Sequence, residues 1–331
     1  MKNQKKNNSL KEIGKKLFSA DKVAIYPHTG MDGDAIGSCI ALCIALRKKG
    51  VDSVVLIGEE IPENLNFLER EYCTMDTAYV EDADISICVD CGELERLGWR
   101  GEAFNKASFH ICIDHHLTGQ YFCDLNYIDP DAAATGEIIW KFLEENGIQV
   151  DREMAEAMYT AVITDTGNFK YSNTTPETHL IAAQLIKLGV KPDYVSQKIY
   201  ESNRLQRIKI EAEAMRTLET FCNGAVARVY VSQKMLDDTG AFMNETDGIV
   251  PTARSIRGVE LALFFKEKGE NEIKVSMRSK QYADVAYISS QFGGGGHKRA
   301  AGCTIHADLE TAMKQLTAAV IEYMEDQEKN R

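Results

Sequence analysis

The segment KVAIYPHTGMDGDAIGSCIALCIALRKKG, residues 22–50, begins with a short β-branched and aromatic run and continues as a long apolar stretch. Within that stretch Ile36, Ile40 and Ile44 recur at intervals of four, which predicts a buried helix. Basic residues and a glycine at 47–50 indicate where this helix ends. The segment therefore predicts a strand, a polar loop and a helix in succession, the basic unit of an α/β protein.

Three further segments are predicted to be strands because each is an almost continuous apolar run. They are DSVVLIG (52–58), DISICVD (84–90) and FHICID (109–114). Strands that are apolar on both faces are typical of parallel sheets covered on both sides. Because such strands alternate with helical segments, we predict an α/β fold whose N-terminal domain has a doubly wound, mainly parallel sheet.

Polar residues with metal-binding chemistry follow several of these strands. His28 ends the first strand, Asp90 ends the DISICVD strand, and Asp114, His115 and His116 end the FHICID strand. Ligands of open parallel sheets bind beyond the carboxyl ends of the strands, so we expect these side chains to meet at one edge. The other acidic candidates for this edge are Asp32, Asp34 and Asp165.

Each of these residues has a structural explanation when it is considered alone. Asp32 or Asp34 could cap the following helix, and a single histidine at a strand end is usually structural. Four or more carboxylates at one edge, however, would repel one another and raise their own pKa values unless cations lay among them. Nitrogen and carboxylate ligands without thiolates suit Mn²⁺ and similar ions. Two such ions that share a carboxylate can cleave phosphate esters, which makes phosphoryl chemistry the leading hypothesis.

The cysteines offer a weaker alternative. The chain has nine of them, scattered and odd in number, which argues against a disulfide framework and for a reducing compartment. Cys88 and Cys91 have the CxxC spacing, but no second pair lies at zinc-ribbon distance and no thioredoxin-like helix pattern follows. We interpret these two thiols as small buried residues at the end of a strand.

Composition limits the classes of partner. The 331 residues include 38 basic and 50 acidic side chains, and the net charge of −12 disfavours binding to long duplex nucleic acid. The chain has no run of about 18 apolar residues and no apolar signal-peptide core near its start. We therefore expect a cytoplasmic protein with no membrane partner, and the length favours about two domains.

The C-terminal half predicts a second, smaller α/β domain. Segment 192–221 is polar and helix-forming, which indicates a helical linker. Strand-like runs follow it, and an amphipathic helix is predicted at 309–326. The predicted N-terminal domain, linker and C-terminal domain span residues 1–190, 191–218 and 219–331.

A glycine run is the most unusual feature of this half. In GGGGHKRAAG, residues 293–302, four successive glycines would let the backbone approach a ligand very closely. Consecutive N–H groups in such a turn can form a nest that binds an anion. The alternative is a flexible turn without a ligand.

Taken in order, these motifs resemble those of the DHH phosphoesterase family. The resemblance extends over about residues 10–325 and rests on the HTGMDGD loop, Asp90, the DHH triplet at 114–116 and the TDTGNF segment at 164–169. The glycine run resembles the signature of the DHHA1 domain that accompanies the DHH domain in one branch of the family. The joint occurrence of these motifs is more specific than any of them alone.

The resemblance implies a role for each matching residue. One ion would be held by His28 and Asp32, and the other by Asp34, His115 and Asp165. Asp90 would bridge the two ions. Asp114 would orient the imidazoles, which metal-bound histidines generally require. His116 would donate a hydrogen bond to the substrate phosphate during in-line attack on phosphorus.

Among members of the family, the chain resembles two-domain oligoribonucleases that also dephosphorylate 3′-phosphoadenosine 5′-phosphate (pAp). This implies an Mn²⁺-dependent hydrolase, with Mg²⁺ or Co²⁺ as substitutes, that cleaves short RNA oligonucleotides such as pApA to mononucleotides. A cyclic or linear dinucleotide phosphodiesterase is the alternative enzyme. A nucleotide-binding regulator on the same scaffold is the non-enzymatic alternative, and a homodimer is a further expectation.

The resemblance also implies that the second domain holds the rest of the nucleotide across a cleft. Its expected contacts are Arg278, Ser279, Gly294, Gly295, Gly296, His297 and Arg254. Arg254 could equally be an ordinary surface charge. If this division holds, the reach between the two domains would limit the length of the substrate, and short substrates would also suit the acidic net charge.

Overall fold

Six parallel strands form the sheet of the N-terminal part of the chain. The computed structural model describes residues 7–329, and this sheet lies in the first of two compact units, Met1–Ser202. The strands are β1 (Lys22–Tyr26), β2 (Asp52–Leu56), β3 (Cys73–Thr74), β4 (Ile85–Val89), β5 (Phe109–Asp114) and β6 (Leu125–Ile128). Their order is β3-β2-β1-β4-β5-β6, and all neighbours are parallel. The predicted doubly wound, parallel architecture is confirmed.

The helices of this unit pack mainly on one face of the sheet. They are α1 (Leu10–Leu17), α2 (Gly33–Lys48), α3 (Gly101–Phe104), α4 (Thr135–Glu145), α5 (Arg152–Asp165), α6 (Pro176–Lys187) and α7 (Pro192–Tyr200). Residues 33–46 of α2 are all buried. This helix is apolar on nearly every side because neighbouring helices and the sheet enclose it.

Alternate residues of each strand supply two separate cores. Val23 and Ile25 of β1 face the core formed with α2, α4 and α5, whereas Ala24 and Tyr26 face the opposite side. On that opposite side a 3₁₀ segment, Leu94–Arg100, and α3 cover the sheet. Burial on both faces explains why these strands are continuous apolar runs in the sequence.

The strand order reverses at β1. The chain runs outward from β1 through β2 to β3, and then returns to β4 on the other side of β1. At such a reversal the connections after the two central strands leave in opposite directions and open a crevice at the carboxyl ends. The residues that follow β1 and β4 therefore lie where this class of sheet binds its ligands.

The second unit, Asn203–Arg331, contains a mixed sheet. Its strands are β7 (Glu219–Phe221), β8 (Val226–Val231), β9 (Leu261–Gly269), β10 (Glu272–Ser279), β11 (Gly295–His297) and β12 (Ala300–Ile305). Its helices are α8 (Leu205–Arg216), α9 (Gln233–Thr239), α10 (Ile249–Ser255), α11 (Val285–Ser290) and α12 (Leu309–Lys329). The strand order is β11-β12-β10-β9-β8-β7, with β8 and β9 parallel and the other pairs antiparallel. The predicted smaller α/β domain is confirmed.

The segment predicted as one helical linker is two helices. α7 ends at Tyr200 and α8 begins at Leu205. Between them the hydroxyl of Ser202 donates to the carbonyl of Lys198, a local bond that competes with continuation of the helix. The two compact units divide directly after Ser202, within this break. The domain boundaries proposed from sequence stay predictions.

The nine cysteines form no disulfide bond with one another. All nine cysteines are free thiols, and Cys88 and Cys91 are buried at the end of β4.

In the part of the chain that the structure describes, no helix combines the length and the apolar character that a bilayer crossing requires.

The glycine run forms a β-hairpin with the strand that follows it. β11 pairs with β12 in antiparallel register, Gly295 opposite Gly302 and His297 opposite Ala300. Glycine is required at position 294, because a Cβ there would lie 2.3 Å from the Gly302 carbonyl oxygen and 2.4 Å from Ser289 Oγ. Gly295 and Gly296 therefore lie in an edge strand, whereas Gly293 lies in the turn before it, and close backbone packing explains part of the composition of the run.

Replacing Gly294 tests whether close packing, rather than the backbone freedom of glycine, explains the residue at this position. We predict that Gly294→Ala lowers the free energy of unfolding by about 1–3 kcal/mol, the usual cost of overpacking. Gly295→Ala is the matched control, because nothing lies within 4 Å of a Cβ at that position. It should change the free energy by less than about 0.5 kcal/mol. Equal values for the two variants in chemical denaturation would contradict the packing explanation.

Candidate metal centre

The loop between β1 and α2 supplies three of the predicted ligands. Asp32 caps α2, and its Oδ1 accepts hydrogen bonds from the N–H groups of Asp34 and Ala35 at 3.1 Å each. Capping does not preclude metal binding, because the Asp32 side chain is still 55% exposed. Asp34 lies in the first turn of the helix and is fully buried, and His28 is nearly so. The loop thus places one accessible and one buried carboxylate beside an imidazole.

Four more candidates end or follow β4 and β5, the two strands that come after β1 in the order of the sheet. Asp90 directly follows β4 and has a φ of +60°. This left-handed conformation costs a residue other than glycine about 1–3 kcal/mol, and such strain concentrates at functional sites. Asp114 is the last residue of β5, and His115 and His116 follow it. The strand ends thus project these side chains from one edge of the sheet.

Asp165 reaches the same edge because two helices pack closely. It is the last residue of α5. Gly33, at the start of α2, lies so near α5 that a Cβ there would be 2.4 Å from Thr164 Cγ2. A larger residue at 33 would separate the helices and move Asp34 away from Asp165.

Three side chains form a first group of potential ligands. The Nε2 atom of His28 lies 3.6 Å from Asp90 Oδ2 and 4.0 Å from Asp32 Oδ1. One ligand atom from each of the three lies within 4.8 Å of the others, close enough to coordinate one cation. We call His28, Asp32 and Asp90 the first ligand group.

A second group surrounds His115. Its Nε2 atom lies 3.3 Å from Asp165 Oδ2 and 3.6 Å from Asp34 Oδ2. The same atom lies 3.6 Å from Asp90 Oδ1, the other oxygen of the carboxylate that belongs to the first group. We call Asp34, His115 and Asp165 the second ligand group. Asp90 lies between the two groups and directs one oxygen toward an imidazole of each.

The two imidazoles are held in the orientation that metal binding requires. His28 Nδ1 lies 2.8 Å from the carbonyl oxygen of Thr29, and His115 Nδ1 lies 3.2 Å from that of Ala132. A carbonyl can only accept, so both Nδ1 atoms carry the proton. In the neutral ring Nε2 then presents a lone pair to carboxylate oxygens, an unfavourable arrangement unless a cation lies between them. The donor set therefore fits a divalent metal ion.

The N-terminus of α4 holds the buried carboxylates in place. Asp34 accepts hydrogen bonds from the N–H groups of Thr135 at 2.6 Å and Gly136 at 2.9 Å, and from the Ser38 hydroxyl at 2.9 Å. The Thr135 hydroxyl donates to Asp90 Oδ1 at 2.8 Å. Thr135 thus links the carboxylate shared by the two groups to a carboxylate of the second group.

Protonation behaviour reflects the crowding of these acids. Burial and the neighbouring carboxylates raise the pKa of Asp34 well above its ordinary value. Burial raises the pKa of Asp165 to about 6, although His115 opposes the shift. Burial would also raise the pKa of Asp90, but the imidazoles of His28, His115 and His116 close to it hold that pKa below the usual value. Without cations, Asp34 and Asp165 would therefore favour retaining their protons.

His116 is placed differently from the other two histidines. Its Nδ1 donates to Asp114 Oδ1 at 2.7 Å, and this bond raises the pKa of His116 to about 9 in spite of partial burial. The side chain is 35% exposed. His116 also approaches Asp90 and His115 closely enough to form a third potential ligand group. Its Nδ1 is occupied by Asp114, so only Nε2 remains to contact a ligand.

Two of the predicted substrate contacts lie in one row of the second sheet. His297 of β11 and Arg278 of β10 are both directly opposite Ala300 of β12. Directly opposed residues share a face, so a histidine and an arginine flank a small alanine at about 10 Å spacing. His297 is exposed, and Arg278 is half-buried with one N–H donating to the carbonyl of Met277.

The other predicted contacts are not part of this row. Ser279 follows Arg278 on β10 and therefore faces the opposite side of the sheet, where it is buried. Its hydroxyl donates to the carbonyl of Ala283 at 2.7 Å. Arg254 lies in the last turn of α10 and is half-buried. The structure therefore groups His297 with Arg278 but gives Ser279 an internal hydrogen bond.

Comparison with known proteins agrees with the two-unit architecture. The model of the DHH family, N-terminal domain, matches residues 22–162, and that of the DHHA1 domain matches residues 223–326. The chain is 30% identical over 303 residues to the bifunctional oligoribonuclease and PAP phosphatase NrnA of Thermus thermophilus, covering 91% of this chain and 89% of the relative. The chain belongs to the DHH family.

Two other similarities extend over nearly the whole chain. The NrnA protein of Bacillus subtilis, which carries the same description, is 28% identical over 317 residues, or 92% of this chain and 98% of the relative. An exopolyphosphatase-related protein from Bacteroides fragilis has a solved structure with a TM-score of 0.89. It is 24% identical and covers 95% of this chain and 96% of its own, which shows that the fold is shared.

Several residues that shape the centre of this DHH domain were not among those predicted from sequence. Thr135 and Gly136 contribute through backbone N–H groups, which any residue type carries, and Ala132 through its carbonyl. Ser38 could have been found, because it lies four residues after Asp34 on the same helix and therefore on the same face. Thr135 is itself a residue type typical of helix starts, although nothing in the sequence joins that start to Asp34.

Thr135→Val tests whether the hydroxyl on Asp90 supports metal binding. Removal of a hydrogen bond to a metal-binding carboxylate typically weakens the affinity 10- to 100-fold, and we expect a loss of roughly that size for Mn²⁺. Thr160→Val is the matched control, because the buried Thr160 hydroxyl donates only to the carbonyl of Glu156. Calorimetric titration of the metal-stripped proteins measures both. Unchanged affinity in Thr135→Val would exclude the proposed support.

Proposed function

We propose that this protein is a two-metal phosphoesterase that hydrolyses short oligoribonucleotides, including pApA, to mononucleotides and removes the 3′-phosphate of pAp. The observation that carries the proposal is the position of Asp90. Its two oxygens lie 3.6 Å from His28 and 3.6 Å from His115, which belong to different ligand groups. Relatives at 28–30% identity that are named oligoribonucleases and PAP phosphatases support the choice of substrate.

In this proposal each ligand group holds one ion and Asp90 is common to both. We propose Mn²⁺ as the native metal, with Mg²⁺ or Co²⁺ as substitutes, because the donors are imidazole nitrogen and carboxylate oxygen. Two such ions would activate a water and neutralise the negative charge that develops on the phosphoryl group. Asp32 is the accessible carboxylate of the set, and the buried Asp34 and Asp90 are fixed by hydrogen bonds.

The protein's own groups complete the chemistry. Asp114 holds the proton on His116 Nδ1, and the raised pKa keeps this imidazole positively charged near neutral pH. The second N–H of the ring, on Nε2, is then available to donate to a non-bridging phosphate oxygen. We assign Asp114 the role of positioning His116, and His116 the role of contacting the substrate.

We further propose that the row formed by Arg278 and His297 binds a distal part of the nucleotide. An arginine and a histidine on one exposed face suit the phosphate of a second nucleotide. Arg254 and the glycines at 294–296 remain candidates for the same ligand. Ser279 can contribute only if its bond to Ala283 is exchanged for one to the substrate.

A substrate panel tests the proposed activity. The purified protein, supplied with Mn²⁺, should release mononucleotides from pApA and inorganic phosphate from pAp, while RNA of about twenty nucleotides and cyclic di-AMP should be poor substrates. Preferred cleavage of cyclic di-AMP would replace the proposal with a cyclic-dinucleotide phosphodiesterase. Binding of these nucleotides without any product would favour a regulator instead.

We predict that removal of divalent ions abolishes the activity and that added Mn²⁺ restores it. Asp90→Ala should be among the most damaging single substitutions, because it removes a ligand of both groups. Asp52→Ala is the control, since Asp52 is an exposed carboxylate at the first residue of β2, the opposite end of the sheet from Asp90. Turnover and bound metal are measured for each protein. Full activity of metal-free enzyme, or normal metal content and kcat in Asp90→Ala, would refute the assignment.

A second prediction separates chemistry from substrate holding. Arg278→Ala or His297→Ala should lower kcat/KM for pApA roughly ten- to a hundredfold, the effect of losing a charge-assisted hydrogen bond. Bis-p-nitrophenyl phosphate, which has no second nucleotide, should be hydrolysed at the normal rate. Lys274→Ala serves as the control, because Lys274 is an exposed cation on the same face of β10. Equal losses on both substrates would mean that these residues support the catalytic centre structurally.

A further inference from the structure

A 3₁₀ segment packs directly against the loop of the first ligand group. In this segment, Leu94–Arg100, the carbonyl oxygen of Arg96 accepts hydrogen bonds from the Thr29 N–H at 2.8 Å and the Thr29 hydroxyl at 2.9 Å. Thr29 is the residue after His28. Gly98 has a φ of +58°, and a Cβ there would lie 3.1 Å from Thr29 Cγ2. The backbone of Arg96 is therefore fixed beside the metal centre.

The other end of the segment is attached to the sheet. The buried Arg100 donates from Nη1 to the carbonyl of Leu56 at 2.8 Å, and Trp99 Nε1 donates to the carbonyl of Gly58 at 3.4 Å. Leu56 is the last residue of β2, so the segment rests on the carboxyl end of the sheet. A side chain that projects from this segment is presented by a rigid support.

The guanidinium of Arg96 is the unusual part of this arrangement. It is half-buried, yet within residues 7–329 it makes no hydrogen bond and no ion pair. Arg47, Arg70 and Arg100, by contrast, are all bonded to carbonyls or carboxylates. A guanidinium has five N–H donors, and those of Arg96 are all available to a ligand.

Charge balance indicates what that ligand is. If the proposed function is correct, the four carboxylates of Asp32, Asp34, Asp90 and Asp165 offset two divalent ions. A bound phosphodiester then adds negative charge that nothing in this set neutralises, while Arg96 is a cation without a partner.

We propose that Arg96 binds the non-bridging oxygens of the scissile phosphoryl group. This inference rests on the proposed function and adds a residue to its substrate site. A planar guanidinium can hold two phosphate oxygens at once, which a lysine cannot do. The Arg96 carbonyl is bonded to Thr29, the residue directly after the ligand His28, so the phosphoryl group at the metal centre is its ligand rather than the base or the ribose of a distal nucleotide.

Substitution of Arg96 should reduce activity on both test substrates, unlike substitution of Arg278 or His297 in the second domain. Arg96→Gln should weaken binding of inorganic phosphate to the Mn²⁺-loaded protein roughly ten- to a hundredfold, measured by calorimetry. It should lower kcat/KM by a similar factor for both pApA and bis-p-nitrophenyl phosphate, because both contain the reacting phosphoryl group. Arg96→Lys should recover part of the loss, since it keeps the positive charge but not the planar guanidinium that can bind two phosphate oxygens at once.

Arg152→Gln is the matched control for removal of one positive charge from the same domain. Arg152 is an exposed residue at the first position of α5, and the rise of that helix places it about 20 Å from Asp165 at the other end. This variant should bind phosphate and turn over both substrates normally. The Mn²⁺ affinity of all variants should equal that of the wild type, because the backbone contact between residue 96 and Thr29 does not depend on the side chain.

The outcomes separate this inference from the function on which it rests. Normal phosphate binding in Arg96→Gln, with active wild-type enzyme, would overturn the role of Arg96 and leave the function standing. A parallel loss of Mn²⁺ affinity would also overturn it, because Arg96 would then support the metals. Wild-type protein that hydrolyses neither substrate but loses phosphate binding through Arg96→Gln would refute the hydrolase and retain the anion site. Rescue of Arg96→Ala by methylguanidinium would support the direct contact.

Discussion

The crowding of four carboxylates at one edge of the first sheet is the constraint on which the rest of the DHH domain depends. Asp34 and Asp90 are withdrawn from water, and like charges so close together are unfavourable unless protons or cations neutralise them. The fold does not relieve this repulsion by spacing the acids apart. It uses the N–H groups at the start of α4, the Thr135 hydroxyl and two imidazoles with fixed tautomers to hold them together. Holding buried carboxylates together with so many hydrogen bonds is favourable only if the site binds cations.

The same constraint explains local features that would otherwise be costly. The left-handed backbone of Asp90 places its carboxylate between two imidazoles, and the glycine at 33 lets α2 approach α5 so that Asp34 can meet Asp165. Neither feature improves the packing of the sheet itself. Both features lie where the strand order reverses, and the two cores on either side of the sheet supply the stability that tolerates them.

Much of the centre could be predicted because parallel strands all end at the same edge, so that residues distant in sequence, such as His28 and Asp90, must be neighbours. The parts that were missed depend on backbone groups or on tertiary packing. The carbonyl of Ala132 and the N–H of Thr135 are backbone groups that every such residue carries, so the residue type does not reveal their role. Asp114 was expected to orient the imidazoles, but in the structure it bonds only that of His116. The break between α7 and α8 contains the bond from the Ser202 hydroxyl to Lys198, which competes with helix continuation in a helix-forming sequence. The end of the glycine run pairs with a strand that no local pattern indicated.

Under the proposed function, phosphate recognition raises a problem of charge for which each domain offers its own cations. A protein with a net charge of −12 repels nucleotides at long range, so affinity must come from cations presented locally. In the DHH domain Arg96 is held by its own backbone contact to Thr29, which leaves the guanidinium free for the reacting phosphoryl group that every substrate contains. In the DHHA1 domain Arg278 and His297 lie in one exposed row and suit a group that only longer substrates contain. Under the proposed function, the contact shared by all substrates belongs to the metal-binding domain and the contact specific to longer substrates belongs to the other domain, so a substitution in the second domain can change the preferred substrate length without altering the metal ligands.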